Sequence, residues 1–173
     1  MNKNYFKHNE DEGWNRLQNF NAKTYMFQLL DRSLQSSQWD ASGVCNSQRV
    51  LIEIKVRNAV LTPNLKASGA TFMDDNLFIE DYKVAAILLE AKINNFVPIY
   101  VNFLADGNVV IFNLEKLTSY KLYSNLSIDS KGYQATQDRT NRIGLLLEDA
   151  TIYGKDGKLI RKNKIDSGKV NIN

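Results

Sequence analysis

Three residues have types and spacing that could do chemistry together: Asp40, Glu53 and Lys55. Glu53 and Lys55 stand two apart in Val50-Leu51-Ile52-Glu53-Ile54-Lys55-Val56-Arg57, where every even-numbered position is β-branched and apolar. A period of two predicts a β-strand, and the Val/Ile content agrees. One face then packs inward, and the other displays Glu53, Lys55 and Arg57 beside Leu51. Asp40 lies upstream in Gln38-Trp39-Asp40-Ala41, a second strand separated by a turn containing Ser42-Gly43 and Asn46-Ser47. So short a connection predicts an antiparallel hairpin. Two carboxylates brought together can hold a hard divalent cation, and an ammonium beside them can neutralise an anion.

Composition narrows that chemistry. The chain has 173 residues, one domain's worth, with an ordinary apolar fraction of 43%, enough to bury a core without staples. Cys45 is the only cysteine and His8 the only histidine, which excludes an intramolecular disulfide and a Cys-rich zinc site and weakens any His-based triad. A bound metal should therefore be Mg²⁺ or Mn²⁺. No apolar stretch approaches membrane-spanning length, and the N-terminus has no signal-peptide pattern, so a cytoplasmic setting with no membrane partner is expected. Positive charge gathers late. Residues 1–114 hold 11 Lys/Arg against 12 Asp/Glu, and residues 115–173 hold 11 against 7. That surplus permits an anionic partner without requiring one.

Around the hairpin, Glu10-Asp11-Glu12-Gly13 followed by spaced apolar residues predicts helix over roughly 13–34, with the acids at its start. Residues 59–76 read as a connection. A second helix is predicted over about 77–94, with Phe78, Tyr82, Ala85, Leu89 and Ile93 at helical spacing, stopped by Asn94-Asn95 and Pro98. Ile99–Leu104 and Val109–Leu114 read as a buried hairpin around Ala105-Asp106-Gly107-Asn108. Segment 115–142 is polar, and a last hairpin is predicted from Ala150–Tyr153 and Lys158–Arg161 around Asp156-Gly157.

An acid on one strand and acid-x-Lys on the next is the layout of Mg²⁺-dependent phosphodiesterases. On these residues the chain resembles the PD-(D/E)xK, or restriction-endonuclease-like, nuclease superfamily. The element order over roughly 10–114 is similar to that family's α-β-β-β-α-β core. The resemblance implies a single α/β domain (1–173), with a central mixed β-sheet flanked by helices and a polar C-terminal β-hairpin extension in 115–173. It implies a Mg²⁺-dependent endonuclease that hydrolyses phosphodiester bonds in DNA. Asp40, Glu53 and the Ile54 carbonyl would bind the metal, and Lys55 would assist the attacking water. Compact members often act as homodimers, so a homodimer is an expectation of the resemblance alone. The alternative is a catalytically inactive nuclease-fold protein that binds nucleic acid or serves in assembly.

Acid-x-Lys by itself selects nothing, since Asp81-Tyr82-Lys83, Glu90-Ala91-Lys92, Asp129-Ser130-Lys131 and Asp156-Gly157-Lys158 also fit. Only Glu53-Ile54-Lys55 lies mid-strand, after an isolated Asp and before an amphipathic helix. Its plain alternative is a solvated strand face bearing a charged pair. Glu12, or Glu10, could add a third acid from the first helix, against a simple helix-start preference for acids. Lys83 could reach the metal or phosphate, against an exposed helical lysine. Arg57 could touch a neighbouring phosphate, against a strand-end ion pair. Trp39 is more often a core anchor than a base-stacking platform. Tyr120, Tyr123 and Tyr133 could grip a single strand, and Lys155, Lys158, Arg161, Lys162 and Lys164 could meet phosphates, against a polar loop and a solvated turn.

Overall fold

A computed structural model describes residues 3–34, 37–69, 76–126 and 140–163. The elements run α1 (Lys3–Thr24), β1 (Leu29–Arg32), β2 (Ala41–Cys45), β3 (Gln48–Arg57), β4 (Val60–Leu61), β5 (Ala67–Ser68), β6 (Leu77–Glu80), α2 (Asp81–Asn94), β7 (Val97–Leu104), β8 (Val109–Asn113), β9 (Tyr120–Leu126), β10 (Thr140–Leu145), β11 (Ala150–Tyr153) and β12 (Leu159–Arg161). The class is α/β, with a mixed central sheet of order β1-β2-β3-β7-β8-β11-β12. Among the described strands only β3 and β7 pair in parallel, from Val50↔Val97 to Arg57↔Leu104, and α2 lies on the crossover between them. Strands β6, β10 and β9 form a second sheet, and β4 with β5 a two-stranded one.

Both faces of the central sheet are covered. Val50, Ile52 and Ile54 of β3 join Leu17 and Phe20 of α1 in one core cluster, with Ile99, Val101 and Phe103 of β7. Leu51 joins Ile79, Val84, Ile87, Tyr100, Phe112 and Ile143 in the other, under α2 and the second sheet. The period of two in β3 is therefore real. The solvated odd face is not, because α2 and β6-β10-β9 lie over it.

Gly13 shows how closely α1 approaches. It is inside the helix, where a Cβ would stand 3.0 Å from Ile54 Cγ2, so the absence of a side chain lets the helix settle on β3. The first helix thus begins ten residues before the position that the acids suggested, at Lys3, and ends at Thr24. Glu10, Asp11 and Glu12 are mid-helix. Residues 29–32 are strand β1, paired with β2 from Leu29↔Val44 to Arg32↔Ala41. Pairing at a sheet edge overrides local helical spacing there.

The hairpin prediction holds with a tighter turn. β2 pairs β3 from Ala41↔Ile52 to Cys45↔Gln48, so Ser42 and Gly43 are within the strand. Asn46 and Ser47 alone turn the chain, at φ of 48° and 64°, as a two-residue turn with both central residues left-handed requires.

Two further expectations are corrected. Leu77–Glu80 is strand, held by β10 from Leu77↔Leu145 to Glu80↔Arg142, so α2 starts at Asp81. Its buried residues are Val84, Ile87 and Ala91, whereas Tyr82, Leu89 and Ile93 are exposed. A helix apolar on nearly every side offers two stripes at helical spacing, and the sequence pattern favoured the outer one. The C-terminal third also contributes to the core through β11, which the polar reading did not anticipate. β11 is buried along its whole length and pairs β8 from Ala150↔Phe112 to Tyr153↔Val109. The predicted hairpins β7–β8 and β11–β12 both form. Among the described residues no helix is long and apolar enough to cross a membrane. Lys131, Tyr133, Arg139 and Lys164 lie outside the described residues.

Candidate active site

β3 outruns its partner β2, and the site forms where they part. The last ladder contact beyond Ala41 is Asp40 N–H to the Ile52 carbonyl, at 2.9 Å. From there the Asp40 side chain replaces the missing strand, its Oδ2 accepting from Ile54 N–H at 2.7 Å. The N–H and C=O of one strand residue point to the same edge, so the Ile54 carbonyl faces the side on which Asp40 lies. The carboxylate and the carbonyl assigned from sequence are thus neighbours.

Glu53 points to the other side, into the layer beneath α2, and is wholly buried. Its Oε1 accepts from Lys83 Nζ of α2 at 2.5 Å and stands 3.4 Å from Lys55 Nζ. Its Oε2 is buried without a hydrogen-bond partner. An unsatisfied buried carboxylate oxygen is costly. Burial pushes the Glu53 carboxyl above its ordinary value, and the Asp40 charge adds to that, while Lys55 and Lys83 pull the other way. For Lys55, burial disfavours the ammonium, but Glu53 and Glu80 outweigh it and its pKa ends above the ordinary lysine value. Lys55 is therefore held charged.

Behind these groups runs a polar layer that sequence reading missed. Glu80, the residue before α2, lies 3.8 Å from Arg142 on β10. Burial works against the Glu80 carboxylate, but Lys55, a backbone hydrogen bond, Arg142 and Lys83 together hold its pKa below the ordinary value. Tyr100, fully buried on β7, donates to the Phe78 carbonyl at 2.8 Å. Arg57 donates through Nε to Asn102 Oδ1 at 3.2 Å and through Nη2 to the Phe78 carbonyl and the Tyr100 hydroxyl. Its guanidinium thus braces β3 against β6 and β7 instead of facing outward. Glu80 fell inside the helix predicted over about 77–94, and Arg142 stood in a segment read as polar.

The structure brings Asp40, Glu53, Ile54, Lys55 and Lys83 together, and it leaves Glu12 aside. Glu12 pairs with Arg16 one turn along α1, at 2.8 Å. Glu10 instead lines a cleft of about 300 Å³ that Asp40 and Ile54 also line. Trp39 is half-buried against the α2-side core, and part of it lines the same cleft. Tyr120 is exposed on β9, while Tyr123 packs edge-on to Phe78 at 5.1 Å. Among the described residues no three acidic, histidine or cysteine side chains gather as a metal-binding group. Any cation here would rest on two carboxylates, a carbonyl and water. Compared with family models and with curated proteins, the chain matches none.

Proposed function

We propose that the protein is a Mg²⁺- or Mn²⁺-dependent nuclease that hydrolyses phosphodiester bonds in DNA. Asp40, Glu53 and the Ile54 carbonyl would hold the metal. The observation that carries this reading is the orphaned Oε2 of Glu53, a buried carboxylate oxygen whose group also feels the charge of a second carboxylate, Asp40. A divalent cation is the partner that such an oxygen lacks. The order α1-β1-β2-β3, followed after the short strands β4, β5 and β6 by α2-β7, supports a restriction-endonuclease-like core, with the acid before β2 and acid-x-Lys on β3.

The residues divide the work by charge. Lys83 occupies Glu53 Oε1 and so fixes the carboxylate, leaving the buried Oε2 without a hydrogen-bond partner. Ile54 N–H fixes Asp40 in the same way. Lys55, kept as an ammonium, cannot accept a proton. It acts on the phosphate, neutralising charge as that charge builds and orienting water by donation. When bound, the metal supplies Lewis-acid polarisation of the phosphate and a more acidic water.

The test is cleavage of duplex, nicked, branched and single-stranded DNA with Mg²⁺ or Mn²⁺, comparing wild type with Glu53→Gln and Lys55→Ala. Metal-dependent cutting lost in both variants is expected, and undiminished cutting by either overturns the assignment. The second reading is an inactive nuclease-fold protein that binds nucleic acid. It draws on the complete burial of Glu53 and its lysine pairing. It predicts salt-dependent DNA binding without cleavage or metal dependence.

A further inference from the structure

The cleft lined by Asp40 and Ile54 has aromatic and acidic walls, and both features bear on what enters it. Trp14 of α1 and Trp39 line it, with Glu10, Asp11 and Arg32. Each tryptophan packs its inner part on a core, Trp14 on the α1-side cluster and Trp39 on the α2-side cluster. Both rings are thereby held in place. Arg32 is committed to Asp11, with Nη2 2.6 Å from Oδ1. With Glu10 and Asp40 also present, the cleft carries an excess of negative charge.

We infer that this cleft seats one unpaired nucleobase of the strand being cut, so that the substrate is single-stranded or locally unpaired nucleic acid. This rests on the nuclease reading of Asp40 and Glu53. An acidic cleft repels a phosphate, but its carboxylates accept hydrogen bonds from the exocyclic amine or ring N–H of a base. Indole rings offer the flat surface on which bases stack irrespective of sequence. A volume of about 300 Å³ is at the lower end for ligand sites and suits one nucleotide, not a stacked run. Because Asp40 and Ile54 line the same cleft as the two tryptophans, the phosphodiester attached to a seated base falls beside Asp40. A continuous duplex would have to unstack a base to reach this position, whereas a single strand would not.

The chain's two tryptophans both line this cleft, so intrinsic emission reports on it directly. The experiment titrates the full chain in EDTA with a short single-stranded oligonucleotide and with a blunt hairpin of the same composition. Saturable quenching by the single strand is expected, with affinity at least tenfold above the hairpin's. Trp39→Leu should lose about tenfold of the single-strand affinity and leave hairpin binding unchanged. Ser33→Phe, at a lining position that belongs to neither core cluster, should do the same in a demonstrably folded protein. Equal affinities with unmoved emission overturn the base seat, as does full single-strand affinity in the Ser33→Phe protein. The cleavage assay separates the two ideas. Metal-dependent cutting of the hairpin as fast as the single strand, with emission unmoved, keeps the nuclease and rejects the seat. Quenching by single strand with no cutting of any substrate keeps the seat and rejects the nuclease.

Discussion

Removing Lys83 tests whether Glu53 is held as a buried anion. In Lys83→Met the stem keeps its apolar packing, and the ammonium 2.5 Å from Glu53 Oε1 is lost. Removing one partner of a buried pair costs about 3–5 kcal/mol, because the other charge is left uncompensated. Lys55 remains at 3.4 Å, so the lower end applies, about 3 kcal/mol. For a chain of this size each kcal/mol moves Tm by about 2–4 °C, so a fall of roughly 6–12 °C is expected at neutral pH. The pH dependence has a definite sign. The Glu53 carboxyl is already raised above its ordinary value of 4.5, and losing Lys83 raises it further. A group raised on folding contributes stability that is fully present below 4.5 and lost as pH rises through the folded value. The variant's deficit should therefore shrink as pH falls towards about 5. Glu53→Gln added to Lys83→Met should recover much of the loss, since no buried anion then remains. Chemical denaturation in EDTA at the two pH values reads all of this. A neutral-pH deficit below about 1 kcal/mol, well short of the buried-pair range, or one unchanged by acid, would refute the picture.

Metal binding should be visible without turnover. Saturating Mg²⁺ or Mn²⁺, at about 100 times Kd, should stabilise wild type by about 2.7 kcal/mol, and thermal melts of Glu53→Gln should show no such shift. Glu80 has the opposite sign to Glu53. Its depressed pKa gives stability that is present above the ordinary value of 4.5 and lost as pH falls below it. Acid titration of Glu80→Gln should accordingly show a flatter loss of stability below pH 4.5 than wild type. Gly144 of β10 is crowded, since a Cβ there would lie 2.8 Å from Tyr123 Cε2 and 3.2 Å from Asn76 Cβ. Gly144→Val should cost about 1–3 kcal/mol by overpacking, measured by urea unfolding, and a neutral result would mean that β9 yields easily.

Legibility differed between the sheet and its coverings. β3 could be read because alternating apolar residues and a long strand share one signal, and Asn46-Ser47 marked the turn. The hairpin β7–β8 was legible for the same reason, with Gly107 at a φ of 85° supplying its turn. β1 and β6 were missed because each is four residues long and is made strand by its partner rather than by its own pattern. The site divided along similar lines. Asp40, Glu53 and Lys55 are local in sequence and were found. Glu80 and Arg142 act across a sheet contact 62 positions apart in the chain, and spacing along one strand or helix carries no trace of that.

The burial of Glu53 follows from those coverings and bears on what the site is for. A carboxylate on a solvated strand face has water for a partner, and its position beside a lysine would mean little. Beneath α2 it has two ammonium groups at one oxygen and none at the other. The lysines offset part of the burial cost, yet the pKa still moves upward, so the folded chain retains an unfavourable term at neutral pH. Replacing such a group by Gln in a protein with no ligand for it should be tolerated, or even stabilising, once Lys83 is also neutral. Such a retained term is of the kind that functional groups carry, and the cation proposed at Oε2 would offset it.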